Sequence, residues 1–119
     1  NKNNLRKIIK IIHPEIRKKM NIFLKKNKKS KLIVLDIPLL LENKINKKKD
    51  ILIFIHSNKT EISKRLKKRQ NFNLKIVNRF RKIQLPLDYK RKKSNFIIKN
   101  NFTNKFIKNQ IRYILNQLK

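Results

Sequence analysis

The chain has 119 residues, 39% of them hydrophobic, and its 35 Lys and Arg against 6 Asp and Glu give a formal net charge of +29. That length is one domain's worth or less, and domains of this size bury about two-thirds of their unfolded surface. With no Cys and 2 His, disulfides and thiolate metal sites are excluded and a zinc site has no ligand set; with no Gly, a GxxxxGK(S/T) phosphate-cradling loop is absent from these residues.

Leu5, Ile8, Ile9 and Ile12 recur at helical spacing and predict a first helix up to Ile12. His13-Pro14 interrupts it, because the residue before a proline avoids the helical region and proline suits a first helical turn. A second helix is therefore expected from Pro14 to about Lys26, with Ile16, Met20, Phe23 and Leu24 inward. A polar loop follows from Asn27 to Lys31. Leu32 to Ile37 is a short, branched apolar run and predicts a buried strand, ended by Pro38, which cannot donate to a ladder. Asn43 to Lys49 is polar and basic, a loop or a frayed helix end.

Asp50 to His56 predicts a second buried strand. Asn58 and Glu61 approximate a capping box for a helix running to about Gln70. Asn73 caps a helix to about Gln84, and Pro86 opens a short one to about Lys93. Phe96 to Lys99 predicts a third strand, Asn100-Asn101 the turn after it, and Thr103 the cap of a last amphipathic helix carrying Ile107, Ile111, Ile114 and Leu118. Buried strands alternating with helices define an α/β fold with a parallel sheet. Three strands make a poor sheet of that class, which fits a chain that is a piece of a longer one.

The charge has two readings, a polyanionic partner or codon bias. Lys, Asn and Ile are enriched together while Ala and Gly are missing, which bias toward A/T-rich codons explains and selection for charge does not. The basic residues are also spread along the chain rather than gathered in a tail. No apolar run approaches the roughly 20 residues of a membrane helix and no signal peptide is visible. The expectation is a cytoplasmic protein that is not membrane-bound, with nonspecific rather than specific nucleic-acid binding.

In open parallel sheets, ligands bind beyond the carboxyl ends of the strands. The Pro38-Leu39-Leu40-Leu41-Glu42 stretch stands at such an end and is a candidate rim, or a plain turn with its leucines in the core. Asp36 beside it is a candidate near a metal-nucleotide site or a local pairing group. Arg65 and Arg69, four apart, share a helix face, and Arg79 and Arg81 follow on the next helix. Arginine grips phosphate oxygens two at a time, so these are candidates for a triphosphate clamp, or a solvated basic face. His13, beside a helix start, reaches a ligand or satisfies a backbone group.

Taken in order, IIHPEIRKKM, LDIPLLLE, Arg65-x-x-x-Arg69, Arg79 and QLPLDYKRKKSNFIIKNN resemble dephospho-coenzyme A kinase. Gln84, Pro86, Lys90, Ile98 and Asn100 fall on that family's pattern. Leu41 stands where the family usually has Phe, Ser94-Asn95 replaces Ala-Asp, and Gln70 replaces a frequent Asp. The resemblance implies part of a P-loop kinase fold, a single-domain fragment over 1–119, with 1–28 on the helical substrate side, 32–56 and 95–119 in the core, and 60–94 as helix and lid. It implies transfer of the ATP γ-phosphoryl group to the ribose 3′-hydroxyl of dephospho-coenzyme A, with Mg²⁺, as the last step of coenzyme A synthesis. On that template His13, Pro14, Pro38, Leu39, Leu40 and Glu42 lie by the acceptor, Arg65, Arg69 and Arg79 on the lid side, and Asn100 near the ATP base. The family's phosphate loop and the Asp acting on the acceptor hydroxyl find no match here, so no catalytic residue or metal ligand is assigned and the chain alone is expected to be inactive. The rival expectations are another small-molecule kinase of this fold, a basic nucleic-acid-binding module, and a decayed pseudoenzyme.

Overall fold

A computed structural model of the chain describes residues 2–119, without the side chains at 2, 3 and 5, so the side chain of Leu5 in the helical pattern above lies outside the described ones. The chain forms two compact units, Asn1–Pro38 and Leu39–Lys119.

The first unit holds α1 (Lys2–Lys26), one helix with Pro14 inside it, where two helices meeting at Pro14 were expected. Proline in a helix interior removes one backbone bond and crowds the preceding turn, at a cost of about 3 kcal/mol. The half-buried residues show what outweighs it: Ile9, His13, Ile16, Met20 and Leu24 follow at spacings of three and four, and the stripe runs unbroken across the proline. Lys25 and Lys26 occupy the last turn, where a helix dipole favours cations. The Asn27 side chain donates to the Phe23 carbonyl at 2.9 Å and closes the end.

Leu32 to Ile37 is not the buried strand the apolar run predicts. It is irregular, and Leu32, Val34 and Leu35 are exposed. Branched apolar residues favour a strand only against a ladder partner and a covering layer, and no strand among the described residues pairs with this run. The sheet accordingly has two strands rather than three.

In the second unit those strands are β1 (Ile53–His56) and β2 (Phe96–Lys99), parallel, with Ile53 opposite Phe96 and His56 opposite Lys99. Asn95 lengthens the pairing: its amide donates to the Leu52 carbonyl at 2.8 Å, and its side-chain oxygen accepts from the Leu52 amide at 2.8 Å. Parallel strands need a long crossover, here supplied by α2 (Lys59–Lys67), α3 (Leu74–Ile83) and α4 (Leu87–Lys93). The last helix, α5 (Asn104–Gln117), packs against β2, with Ile98 of the strand and Ile114 of the helix both buried.

The caps follow the sequence with two differences. Asn58 accepts from the Thr60 amide at 2.8 Å, and Asn73 from the amides of Lys75 and Ile76 at 2.9 and 3.3 Å. Glu61 does not complete a capping box but pairs with Arg65 on its own helix. Thr103 occupies the N-cap position of α5 without a side-chain cap bond, its hydroxyl donating instead to Asn101 Oδ1 at 2.7 Å.

Ile45 is the third buried apolar residue among the described residues, inside a stretch that reads as a basic loop. A tight turn puts it there. Asn43 donates to the Leu39 carbonyl, Lys44 to Leu41 and Ile45 to Leu40, the bond pattern that closes a helical turn through a left-handed residue. That residue is Lys44, at φ 51°. A chain without glycine must place other residues in this region, and Leu39, Asn71 and Phe102 do the same.

Candidate functional site

The carboxyl end of the sheet is built by the chain leaving β1 and β2. The Asn100 amide donates to the His56 carbonyl at 2.7 Å, joining the two strand ends. The Asn100 side chain then accepts from the Phe102 amide at 2.8 Å, and Asn101 Oδ1 from the Thr103 amide at 3.0 Å. These side-chain turns hold Phe102 at φ 62°, a left-handed conformation that costs a non-glycine residue roughly 1–2 kcal/mol.

Arg65 comes to this turn from α2. Its guanidinium lies 3.6 Å from the centroid of the Phe102 ring, and its Nε donates to Glu61 Oε1 at 3.0 Å. A cation over an aromatic face is stabilised by the ring quadrupole, and the carboxylate one helical turn earlier fixes the guanidinium's orientation. Arg65 thus rests on the ring of Phe102, in the turn that Asn100 opens at the carboxyl ends of the parallel strands.

Glu42 is placed differently from a free rim carboxylate. Its Oε1 accepts from the Leu85 amide at 3.0 Å and pairs with the Lys90 ammonium. Burial pushes the carboxyl pKa up, but the Lys90 hydrogen bond, the amides of Glu42 and Leu85 and the Lys90 charge outweigh it, so the pKa lies below the usual 4.5. Leu39 and Leu40 are half-buried in the same turn, with Leu39 at φ 55°.

Within the second unit, Arg69 and Arg79 are part of neither arrangement, and His13, Pro14 and Pro38 belong to the first unit. Arg69 is exposed in the turn after α2 rather than on its face, because the helix stops at Lys67. The cations Lys64, Arg65, Lys67, Lys68 and Arg69 crowd this end and repel one another along a continued helix, and Asn71 at φ 60° turns the chain away. Arg79 is exposed on α3. His13 lies on the half-buried stripe of α1 and Pro14 on its exposed side, while Pro38 is exposed at the end of the first unit.

Phe102 and Lys90 are the partners that sequence reasoning did not assign. Phe102 follows two asparagines in a predicted turn, and nothing local marks it as a cation's platform. Lys90 stands on the family pattern, but with 35 basic residues for 6 acidic ones no charge pattern selects it as the partner of Glu42.

A parallel sheet with helical crossovers, its strand ends followed by a turn on which Arg65 of α2 rests, places the chain among the α/β proteins. Sequence comparison narrows the class. The family model of dephospho-CoA kinase matches residues 1–105. A dephospho-CoA kinase of Wolbachia pipientis wMel is 32% identical over 117 residues, covering 97% of this chain and 60% of that protein. One from Fusobacterium nucleatum is 33% identical over 103 residues, covering 85% and 52%, and one from Rickettsia conorii 30% identical over 112 residues, covering 94% and 59%. The chain belongs to the dephospho-CoA kinase family, and its two strands and flanking helices are consistent with part of the P-loop kinase fold. It spans about 60% of the length of the Wolbachia relative. Among the described residues no helix is long and apolar enough to cross a membrane.

Proposed function

We propose that this chain forms the acceptor-side and lid-side part of an enzyme that transfers the γ-phosphoryl group of ATP to the ribose 3′-hydroxyl of dephospho-coenzyme A. One observation carries the proposal: a chain matched by the dephospho-CoA kinase family over residues 1–105 brings Arg65 onto the turn after Asn100, at the carboxyl ends of parallel strands. Phosphoryl transfer demands positioning and charge neutralisation more than covalent participation by the protein. Arg65, Arg69 and Arg79 supply cationic charge on the nucleotide side, and Asn100 shapes the turn beside the base. His13, Pro14, Pro38, Leu39 and Leu40 contribute to the acceptor side, where Glu42 holds the Leu39–Ile45 turn in shape.

ATP enters as its Mg²⁺ complex. The cation would be carried on the phosphates and water rather than in a protein cage.

The test is an assay of the protein as its own cell makes it, given MgATP and dephospho-coenzyme A, with the product weighed by mass spectrometry. Formation of coenzyme A, reduced about tenfold or more by Arg69→Ala or Arg79→Ala, is the expected result, the scale of removing one charge-stabilising group. A natural product that makes no coenzyme A, or variants that leave the rate unchanged, overturns the assignment.

A further inference from the structure

Lys99 is the last residue of β2, and a side chain of α5 holds both of its backbone groups. The Lys99 amide donates to Gln110 Oε1 at 2.9 Å, and Gln110 Nε2 donates to the Lys99 carbonyl at 2.8 Å. In a parallel ladder, alternate residues turn both backbone groups to the same side, so the Gln110 amide stands where a peptide group of a neighbouring strand would stand. The next residue is held from the opposite side: the Asn100 amide donates to the His56 carbonyl of β1 at 2.7 Å. Two successive residues gripped on opposite edges fix the direction in which the chain leaves β2.

Gln110 is itself held in place. It is half-buried on α5, the helix that packs on β2, and its Nε2 also donates to the Phe106 carbonyl one turn earlier at 3.4 Å. Ile114, four residues further along and so on the same helix face, is buried, as is Ile98 of the strand. The exit that Gln110 defines leads directly into the turn on the nucleotide side. Asn100 Oδ1 accepts from the Phe102 amide at 2.8 Å, Phe102 stands at φ 62°, and its ring carries the Arg65 guanidinium.

We propose that Gln110 is a positioning residue for nucleotide binding: its side-chain amide clamps Lys99, and so sets the turn from Asn100 to Phe102 and the guanidinium of Arg65 that rests on it. The proposal rests on the phosphoryl-transfer reading above. It adds to that reading a residue of α5 that lies beyond the 1–105 span matched by the family.

The test uses the protein as its own cell makes it, with MgATP and dephospho-coenzyme A as substrates. Gln110→Met keeps the length of the side chain and removes both bonds. Gln110→Glu keeps an acceptor for the Lys99 amide and removes the donor to its carbonyl. The KM for MgATP is expected to rise about tenfold in Gln110→Met, the scale of one or two lost hydrogen bonds, and less in Gln110→Glu. The KM for dephospho-coenzyme A and kcat are expected to stay unchanged, the pattern of lost binding rather than lost chemistry. Exchange of the Lys99 amide is expected to quicken about tenfold or more. Ile114→Val loosens α5 against β2 and leaves the clamp, and is expected to leave both KM values unchanged. An unchanged KM for MgATP in Gln110→Met overturns the proposal. An equal rise in both KM values, or the same rise in Ile114→Val, also overturns it and makes Gln110 a brace for stability alone. An unaltered protein that forms no coenzyme A overturns the phosphoryl-transfer reading, and this proposal with it, whereas an active protein indifferent to Gln110 overturns this proposal only.

Discussion

The Glu42 carboxylate receives both the Lys90 ammonium and the Leu85 amide, and so ties the Leu39–Ile45 turn to the start of α4. Both charged side chains are largely shielded, with 9% of Glu42 and 19% of Lys90 exposed. The contact joins two stretches far apart in sequence, LDIPLLLE and QLPLDYK, that carry the family resemblance. Glu42→Gln keeps an acceptor for the Leu85 amide but loses the ion pair. It is expected to lower stability by about 1.5–3 kcal/mol, the scale of a charge-assisted hydrogen bond, read as a shift of the urea midpoint with the slope unchanged.

The same pair sets a pH dependence. The folded-state pKa of Glu42 lies below its usual 4.5, so the unfolded chain takes up the proton first as pH falls. The stabilisation is therefore complete above the unfolded pKa and is lost as pH drops through the lower folded value. Unfolding followed from neutral pH into this acid range is expected to show a loss of stability that Glu42→Gln flattens. An unchanged slope in the variant would assign the acid sensitivity to other carboxylates.

Lys44 holds the left-handed position of the turn that buries Ile45. Glycine adopts that conformation without steric cost. Lys44→Gly is expected to raise stability by about 1 kcal/mol, measured by thermal or urea unfolding. The control is Lys47→Gly, at a position outside the left-handed region, which is expected to give no such gain.

Arg65 is oriented by Phe102 and Glu61. Its side chain is half exposed, so the stack contributes about 0.5–1 kcal/mol. Phe102→Leu keeps an apolar residue and removes the ring face. It is expected to change stability by no more than that amount and to broaden the motion of the Arg65 guanidinium, detectable as a loss of order at its Nε–H by NMR relaxation. If the guanidinium stays ordered, Glu61 alone holds it.

Local chemistry made much of this fold legible. Asn58 and Asn73 predicted helix starts because a short side-chain acceptor satisfies the first free amides. Pro86 predicted another through its preset backbone angle. Phe96 to Lys99 was readable as a strand because a branched apolar run between polar turns has few other uses. Leu32 to Ile37 carries the same signal and forms no strand. The difference is a neighbour: β2 has β1 beside it and α5 upon it, and the earlier run has no ladder partner among the described residues. Arg65 was legible as a candidate, but its stacking on Phe102 was not, since it depends on how α2 lies against a turn more than thirty residues later in the chain.

The sequence alone determined the family, the two strands that form, the helices after Asn58 and the caps at Asn58 and Asn73, because each depends on residue type and spacing within one segment. Only the tertiary structure decided that Glu42 pairs with Lys90, that Arg65 rests on Phe102, that Ile45 is buried within a lysine-rich stretch of sequence, and that the Gln110 side chain bonds both backbone groups of Lys99. These are long-range choices among near-equivalent partners. In a chain with six acids among thirty-five bases, composition leaves every such choice open, and packing selects one.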